Sequence, residues 1–231
     1  MPYRRLPNTD NARIKALKTA VEKAEETDFQ ELSIPLNLLT EAKSVSAHFE
    51  RLCLRYQQMY DTQVKANKHY LGKVKNARMY LSHFVQVLYF SVMRSEIKES
   101  YLTLYGLEGA NMILPDLTSS EQLLEWGEKI IKGENLRTAQ GGVPIYNPSI
   151  AKVTVMFSLL KEGYQTQKLH QKATSRVLKE VADYREIVDK VIFEIWEEVE
   201  KFNINLPVEQ RLDKNRQYGV VYYYRKGESV G

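Results

Sequence analysis

The apolar residues of this chain fall into two long stripes. The first runs Leu39, Ala42, Val45, Phe49, Leu52, Tyr56 and Met59, then Ala66, Tyr70, Val74, Ala77, Leu81, Phe84 and Leu88. Steps of three and four residues set these side chains on one side of a helix. Pro35 precedes the stripe and no proline interrupts it, so one helix is expected over 35–97. Proline suits a first turn because its missing N–H had no partner there. The second stripe runs Val153, Phe157, Leu160 and Tyr164, then Leu178, Val181, Val188, Ile192, Ile195, Val199 and Phe202, and predicts a helix over 149–205. Two such helices joined by a shorter irregular stretch fold most simply as an antiparallel hairpin. Both stripes thin at mid-length, around Gln63 and from Gln167 to Thr174, with Gly72 and Gly163 close by. Breaks there would turn the hairpin into a four-helix bundle.

The flanking segments are shorter. Within 1–34, Thr9 or Asp10 can cap a helix whose apolar side is Ile14, Leu17, Val21 and Ala24. The stretch 98–148 holds nine of the 18 glycines and prolines and reads as an irregular excursion. One short helix is expected inside it, capped by Thr118 or Ser119, packed through Leu123, Leu124, Trp126, Ile130 and Ile131, and stopped by Gly133. In the tail, 206–231, the run from Tyr218 to Arg225 is rich in β-formers. A lone strand cannot satisfy its backbone, and the expected partner is Val143 to Tyr146. The fold class is therefore all-α. It is an elongated antiparallel hairpin or bundle of two long helices, with short N-terminal and insertion helices and a small two-stranded patch, in one domain over 1–231.

Composition narrows the setting. The single cysteine, Cys53, permits no internal disulfide, fits a reducing compartment, and reads as a small buried hydrophobe. Met1 to Arg5 is followed by polar turn chemistry rather than an apolar leader segment, and the longest apolar stretch, Val85 to Met93, contains Gln86. The expected location is the cytoplasm, with no membrane partner.

Several chemistries lack their residues. A di-iron bundle needs Glu-x-x-His pairs, but Val45, Ala66, Tyr80 and Gln167 stand three positions before His48, His69, His83 and His170. There is no H-E-x-x-H and no cysteine pair for zinc, no complete phosphate-binding loop around Gly72-Lys73, and no dinucleotide fingerprint at Gly141-Gly142. The acids Glu197, Glu198 and Glu200 suit a solvated helix face. No catalytic residue, metal or cofactor is expected. The chain reads as a non-enzymatic scaffold or interaction protein, working through a protein partner or self-association.

The charge pattern offers an alternative. From Thr62 to Ser95 there is no acid, but there are Lys65, Lys68, Lys73, Lys75 and Arg78. From Gly163 to Lys179 there is again no acid, but there are Lys168, Lys172, Arg176 and Lys179. Side by side in a hairpin, these residues would form a basic collar able to bind an anion or nucleic acid, with Tyr70, Tyr80 and Tyr164 available for stacking. The excursion is acidic, and folded back it would satisfy much of the collar within the molecule. A pocket is also conceivable where the excursion returns, from Trp126, Arg137, Gln140, Gly141, Gly142, Tyr146 and Asn147. There a glycine pair would admit a ligand to the main chain, unless it simply makes a tight turn.

Three stretches carry a resemblance: Tyr3-Arg4-Arg5-Leu6-Pro7-Asn8-Thr9-Asp10; Leu124-Glu125-Trp126-Gly127-Glu128-Lys129 with Pro144-Ile145-Tyr146-Asn147-Pro148-Ser149; and Tyr218-Gly219-Val220-Val221-Tyr222. They resemble an uncharacterised family of helical proteins from Bacteroidetes-type bacteria. The resemblance implies that the excursion and tail are standard parts of such chains, and it brings no activity and no catalytic residues.

Overall fold

In the computed structural model, which describes residues 3–224, the two stripes form two unbroken helices, α2 over Leu36–Met93 and α4 over Ile150–Phe202. The remaining helices are α1 (Asp10–Glu25), α3 (Ser120–Ala139) and α5 (Val208–Gln217), with 3-10 turns at Phe29–Glu31 and Glu99–Tyr105. Neither long helix breaks at Gly72 or Gly163. On α4 the buried positions Val153, Leu160, Gln167, Thr174, Val181, Val188 and Ile195 recur every seven residues without a slip. On α2 the same interval links Ala42, Phe49, Tyr70, Ala77 and Phe84 through half-buried Tyr56 and Gln63. A strict seven-residue period keeps one side of a helix turned to its neighbour. The polar residues at mid-length therefore occupy stripe positions instead of ending the stripe. Two expected stripe residues fall outside it: Leu178 and Phe202 are 41% and 53% exposed, and Val177 takes the buried place beside Leu178.

The chain divides into two compact units, Met1–Tyr60 with Ala173–Gly231, and Asp61–Lys172. In the first unit α2 and α4 run antiparallel, since His48 meets Tyr184, Arg55 meets Glu180, and Thr174 donates to the Met59 carbonyl. Helix α1 closes this pair. The Thr9 hydroxyl accepts from the Ala12 N–H and so caps it. Ala16, Leu17, Ala20 and Ala24 pack with Phe49, Val188, Ile192 and Trp196. Arg13 binds Asp189 through two hydrogen bonds of 2.8 and 2.9 Å, and Arg185 binds Asp10 through two of 2.8 Å. Cys53, expected to be buried, is only half-buried, and its partial desolvation pushes the thiol pKa up.

The tail departs from expectation. It begins with helix α5, for which no element was expected, and the strand shrinks to β2, Tyr222–Tyr223. Its antiparallel partner is β1, Tyr3–Arg4, and not Val143 to Tyr146, where Tyr146 instead bridges to Ser149. Arg225 lies outside the described residues. Polar side chains hold the tail. Asn203 donates to Asn215 (2.9 Å), Asn215 to the Tyr222 hydroxyl (2.8 Å), and that hydroxyl to Glu200 (2.7 Å). Burial and the Glu200 carboxylate push the Tyr222 pKa up to about 12.

In the second unit the helices are again antiparallel, with Tyr70 beside Tyr164, Lys73 beside Glu162, and Lys152 over the Tyr80 ring. Helix α3 closes this pair around Phe84, Leu88, Tyr105, Leu123, Ile130 and Leu160. Ser119 and Gln122 form a reciprocal capping box at its start. Gly133 does not stop α3, which continues to Ala139. The Tyr105 ring packs against that glycine, so an added Cβ would sit 2.5 Å from the ring and 2.8 Å from the Leu104 carbonyl. The helix ends at Gly141, whose φ of +87° closes a Schellman motif with Gly141 N–H on Thr138 O and Gly142 N–H on Arg137 O.

Two substitutions at helical glycines should have opposite signs. Gly72 has nothing within 4 Å of an added Cβ, so Gly72→Ala should stabilise by up to about 1 kcal/mol through helix propensity. Gly133→Ala should destabilise by about 1–3 kcal/mol, because Tyr105 must move. Urea unfolding followed by circular dichroism measures both.

The Gln167 side-chain oxygen is buried with no hydrogen-bond partner among the described residues. An unmet buried acceptor costs about 1–3 kcal/mol. Gln167→Leu should therefore raise the thermal midpoint, as read by calorimetry.

Candidate functional site

Glu134 and Arg137 stand one turn apart near the end of α3, 0% and 2% exposed. One Glu134 oxygen accepts from the Tyr105 hydroxyl and from Arg137 Nε (3.0 Å). The other accepts from Arg137 Nη2 (2.8 Å) and from the Ile145 N–H (3.1 Å). Arg137 Nη2 also donates to the Val143 carbonyl (2.8 Å), and Nε to the Tyr105 oxygen (2.8 Å). Burial, and then the neighbouring carboxylate, push the Tyr105 phenol far above its ordinary pKa. Burial alone would lower the Arg137 pKa, but the Glu134 and Tyr105 contacts outweigh it and keep the guanidinium charged.

This buried pair pins the backbone of Val143 and Ile145 as the chain returns toward α4. The side chains of the same stretch point outward, with Val143 70% and Tyr146 78% exposed. They rim a cavity of about 510 Å³ with Val87, Ile97 and Ile145 on its apolar side and Ser91, Glu96, Lys98 and Tyr101 among its polar groups. That volume lies within the usual range of ligand and anchor pockets.

Of the residues expected to form a pocket, Arg137, Gly142 and Tyr146 line this cavity. Gln140 and Gly141 end α3 instead. An added Cβ at Gly142 would sit 2.7 Å from Arg137 Nη1. The missing side chain thus makes room for the arginine, not for a ligand. Asn147 is exposed before a cis bond to Pro148 and is not part of the lining. Trp126 packs half-buried on the core under the Lys129 ammonium, also away from the cavity. Sequence reading missed Glu134, Tyr105 and Val143. The spacing of Glu134 and Arg137 was visible, but an acid and a base three apart on a helix ordinarily face water.

The basic residues named for the collar divide between the two units. Arg176 and Lys179 belong to the first unit, where Arg176 pairs with Glu180. In the second unit Arg78 donates to the Leu117 and Thr118 carbonyls, both at 2.8 Å. Lys73 pairs with Glu162 and Lys168 with Glu121 on α3, while Tyr164 also donates to Glu121. Arg78 and Lys168 thus meet partners on the excursion. Lys65, Lys68, Lys75 and Lys172 are exposed. Among the described residues no three His, Cys, Asp or Glu side chains gather to hold a metal.

These features define an all-α protein built on two long antiparallel helices. No family model, curated protein or solved structure matches the chain. Among the described residues no helix is long and apolar enough to cross a membrane.

Removing one member of the buried pair should be worse than removing both. Arg137→Met strands the Glu134 charge and should cost about 3–5 kcal/mol. Glu134→Leu combined with Arg137→Met should recover more than half of that loss. A double-mutant cycle in urea checks the difference.

Proposed function

We propose that the protein is a non-enzymatic cytoplasmic scaffold or adaptor that engages a protein partner, or a second copy of itself, through the rim at Val143 and Tyr146. The observation that carries this reading is the exposure of two large apolar side chains on backbone bound to a buried ion pair. Binding usually costs the ordering of the segments it uses. Here the backbone is already held, and a tyrosine beside a cavity is the kind of anchor that dominates interface energy. The seven-residue stripes of α2 and α4 are of the coiled-coil type and serve as its framework. The resemblance to the helical family of Bacteroidetes-type bacteria belongs to this reading too, since it makes the excursion a standing part of the molecule.

A second reading is anion or nucleic-acid binding. Its support narrows to exposed Lys65, Lys68 and Lys75 on the acid-free part of α2, because Arg78, Lys73 and Lys168 have partners within the molecule.

The interaction reading is tested with Val143→Asp/Tyr146→Asp. Affinity capture from source-cell extract and sedimentation velocity should show a partner, or a dimer, that this variant loses at least tenfold while its circular dichroism is unchanged. Retention of the same partner and the same sedimentation would remove the excursion rim as the interface. A mobility shift at low salt that disappears in the triple glutamate variant of Lys65, Lys68 and Lys75 would favour the second reading.

A further inference from the structure

A groove in the first unit lies between the segment Arg5–Asn8, α1, and the tail from Arg216 to Tyr223. Its volume is about 350 Å³, and its apolar surface includes Leu6, Pro7, Ala12 and Val221. Every charged side chain that lines it is a cation: Arg5, Lys15 and Arg216. Other cavities include acids. The one beside Thr9 carries Asp10 and Glu50, and the excursion cavity carries Glu96. Arg216 is already paired with Asp213 at 2.9 Å. Arg5 and Lys15 form no ion pair among the described residues and are exposed. Among the described residues, then, the two cations share this groove with apolar side chains and with no carboxylate in its lining.

The walls are set before any ligand arrives. The Arg5 N–H donates to the Val221 carbonyl, and the β1–β2 ladder continues that pairing. Gly219, at φ +81°, lets the tail approach α1 so closely that an added Cβ would lie 3.1 Å from the Ala16 carbonyl. A phosphate would look to the free N–H groups of the α1 start, but Thr9 caps Ala12 there and Asp10 places a carboxylate in the first turn. An acidic head would therefore rely on the Arg5 and Lys15 side chains alone, and the floor takes an apolar body.

We propose that this groove binds a small amphipathic carboxylate, its head between Arg5 and Lys15 and its apolar chain along Leu6, Pro7 and Val221. The site is separate from the excursion rim and does not rest on the interaction reading.

Isothermal titration calorimetry of the full chain with octanoate tests the proposal, with octylamine, inorganic phosphate and acetate as matched probes. Octanoate should bind saturably at one site. Octylamine has the same tail and the opposite charge, and acetate and phosphate have no tail, so each should bind at least tenfold more weakly. Arg5→Gln/Lys15→Gln changes only exposed side chains and should weaken octanoate at least tenfold. Val221→Asp, at a half-exposed position, should do the same by a different route. No saturable octanoate binding at low millimolar concentration, equal binding of octylamine, phosphate or acetate, or octanoate affinity unchanged in both variants would each overturn it.

Discussion

A helix with one apolar stripe cannot bury that stripe against itself, and this constraint shapes both units. Helices α2 and α4 cover part of each other's stripe, and in each unit a third helix must close what remains. The two closures use different chemistry. Helix α1 is held by small side chains, Ala16, Ala20 and Ala24, and by two bidentate arginine–aspartate pairs to α4. Helix α3 is held by intimate contact, with the Phe157 ring over Gly127 and the Tyr105 ring over Gly133. Paired charges at partly exposed positions tolerate small shifts of a helix, whereas an aromatic ring seated on a glycine does not. The register of α3 is therefore the more tightly fixed, which suits the element that carries the excursion site.

The buried Glu134–Arg137 pair follows from the same logic. Taking two charges out of water is unfavourable unless their remaining hydrogen-bonding capacity is met. Each Glu134 oxygen has two donors, and Arg137 also reaches Tyr105 and Val143. Two of these partners are backbone groups of a non-helical segment. The pair thus gives that segment the hydrogen bonds that no helix or sheet supplies there. A hydrophobic pair of similar volume could fill the space, but it could not hold the Val143 carbonyl and the Ile145 N–H.

Much of this fold was legible in the sequence because the signals are local or periodic. Apolar spacing located α1, α2 and α4, and Thr9 and Ser119 cap as hydroxyls before apolar runs should. The failures concern residues whose role depends on a distant partner. Gly133 looked like a helix stop, yet its purpose is to admit Tyr105, which sits on another element. The tail strand sought the nearest β-forming run and found Tyr3–Arg4, at the other end of the chain. Gln167 and Thr174 are polar and so resemble a gap in the stripe, although the seven-residue interval passes through both. The candidate pocket was half legible. Arg137, Gly142 and Tyr146 do line a cavity, but nothing in the composition distinguishes a buried Glu134–Arg137 pair from a solvated one. Charge along a chain likewise does not reveal which cations meet carbonyls, as Arg78 does.

The two candidate sites share an origin. In both, buried polar side chains meet non-helical chain where it crosses a helix, and supply hydrogen bonds that the segment lacks. In the second unit Glu134 and Arg137 hold Val143–Ile145. In the first, Glu200, Asn203 and Asn215 hold Tyr222 through a chain of hydrogen bonds. Each anchored stretch turns large apolar side chains outward: Val143 and Tyr146 in one, Val221 and Tyr223 in the other. An apolar side chain facing water gains nothing for the fold, and a mobile loop would let it collapse onto a nearby surface. Here the anchoring prevents that collapse. Backbone held by a buried polar network can therefore carry apolar groups in water that a free loop would fold away.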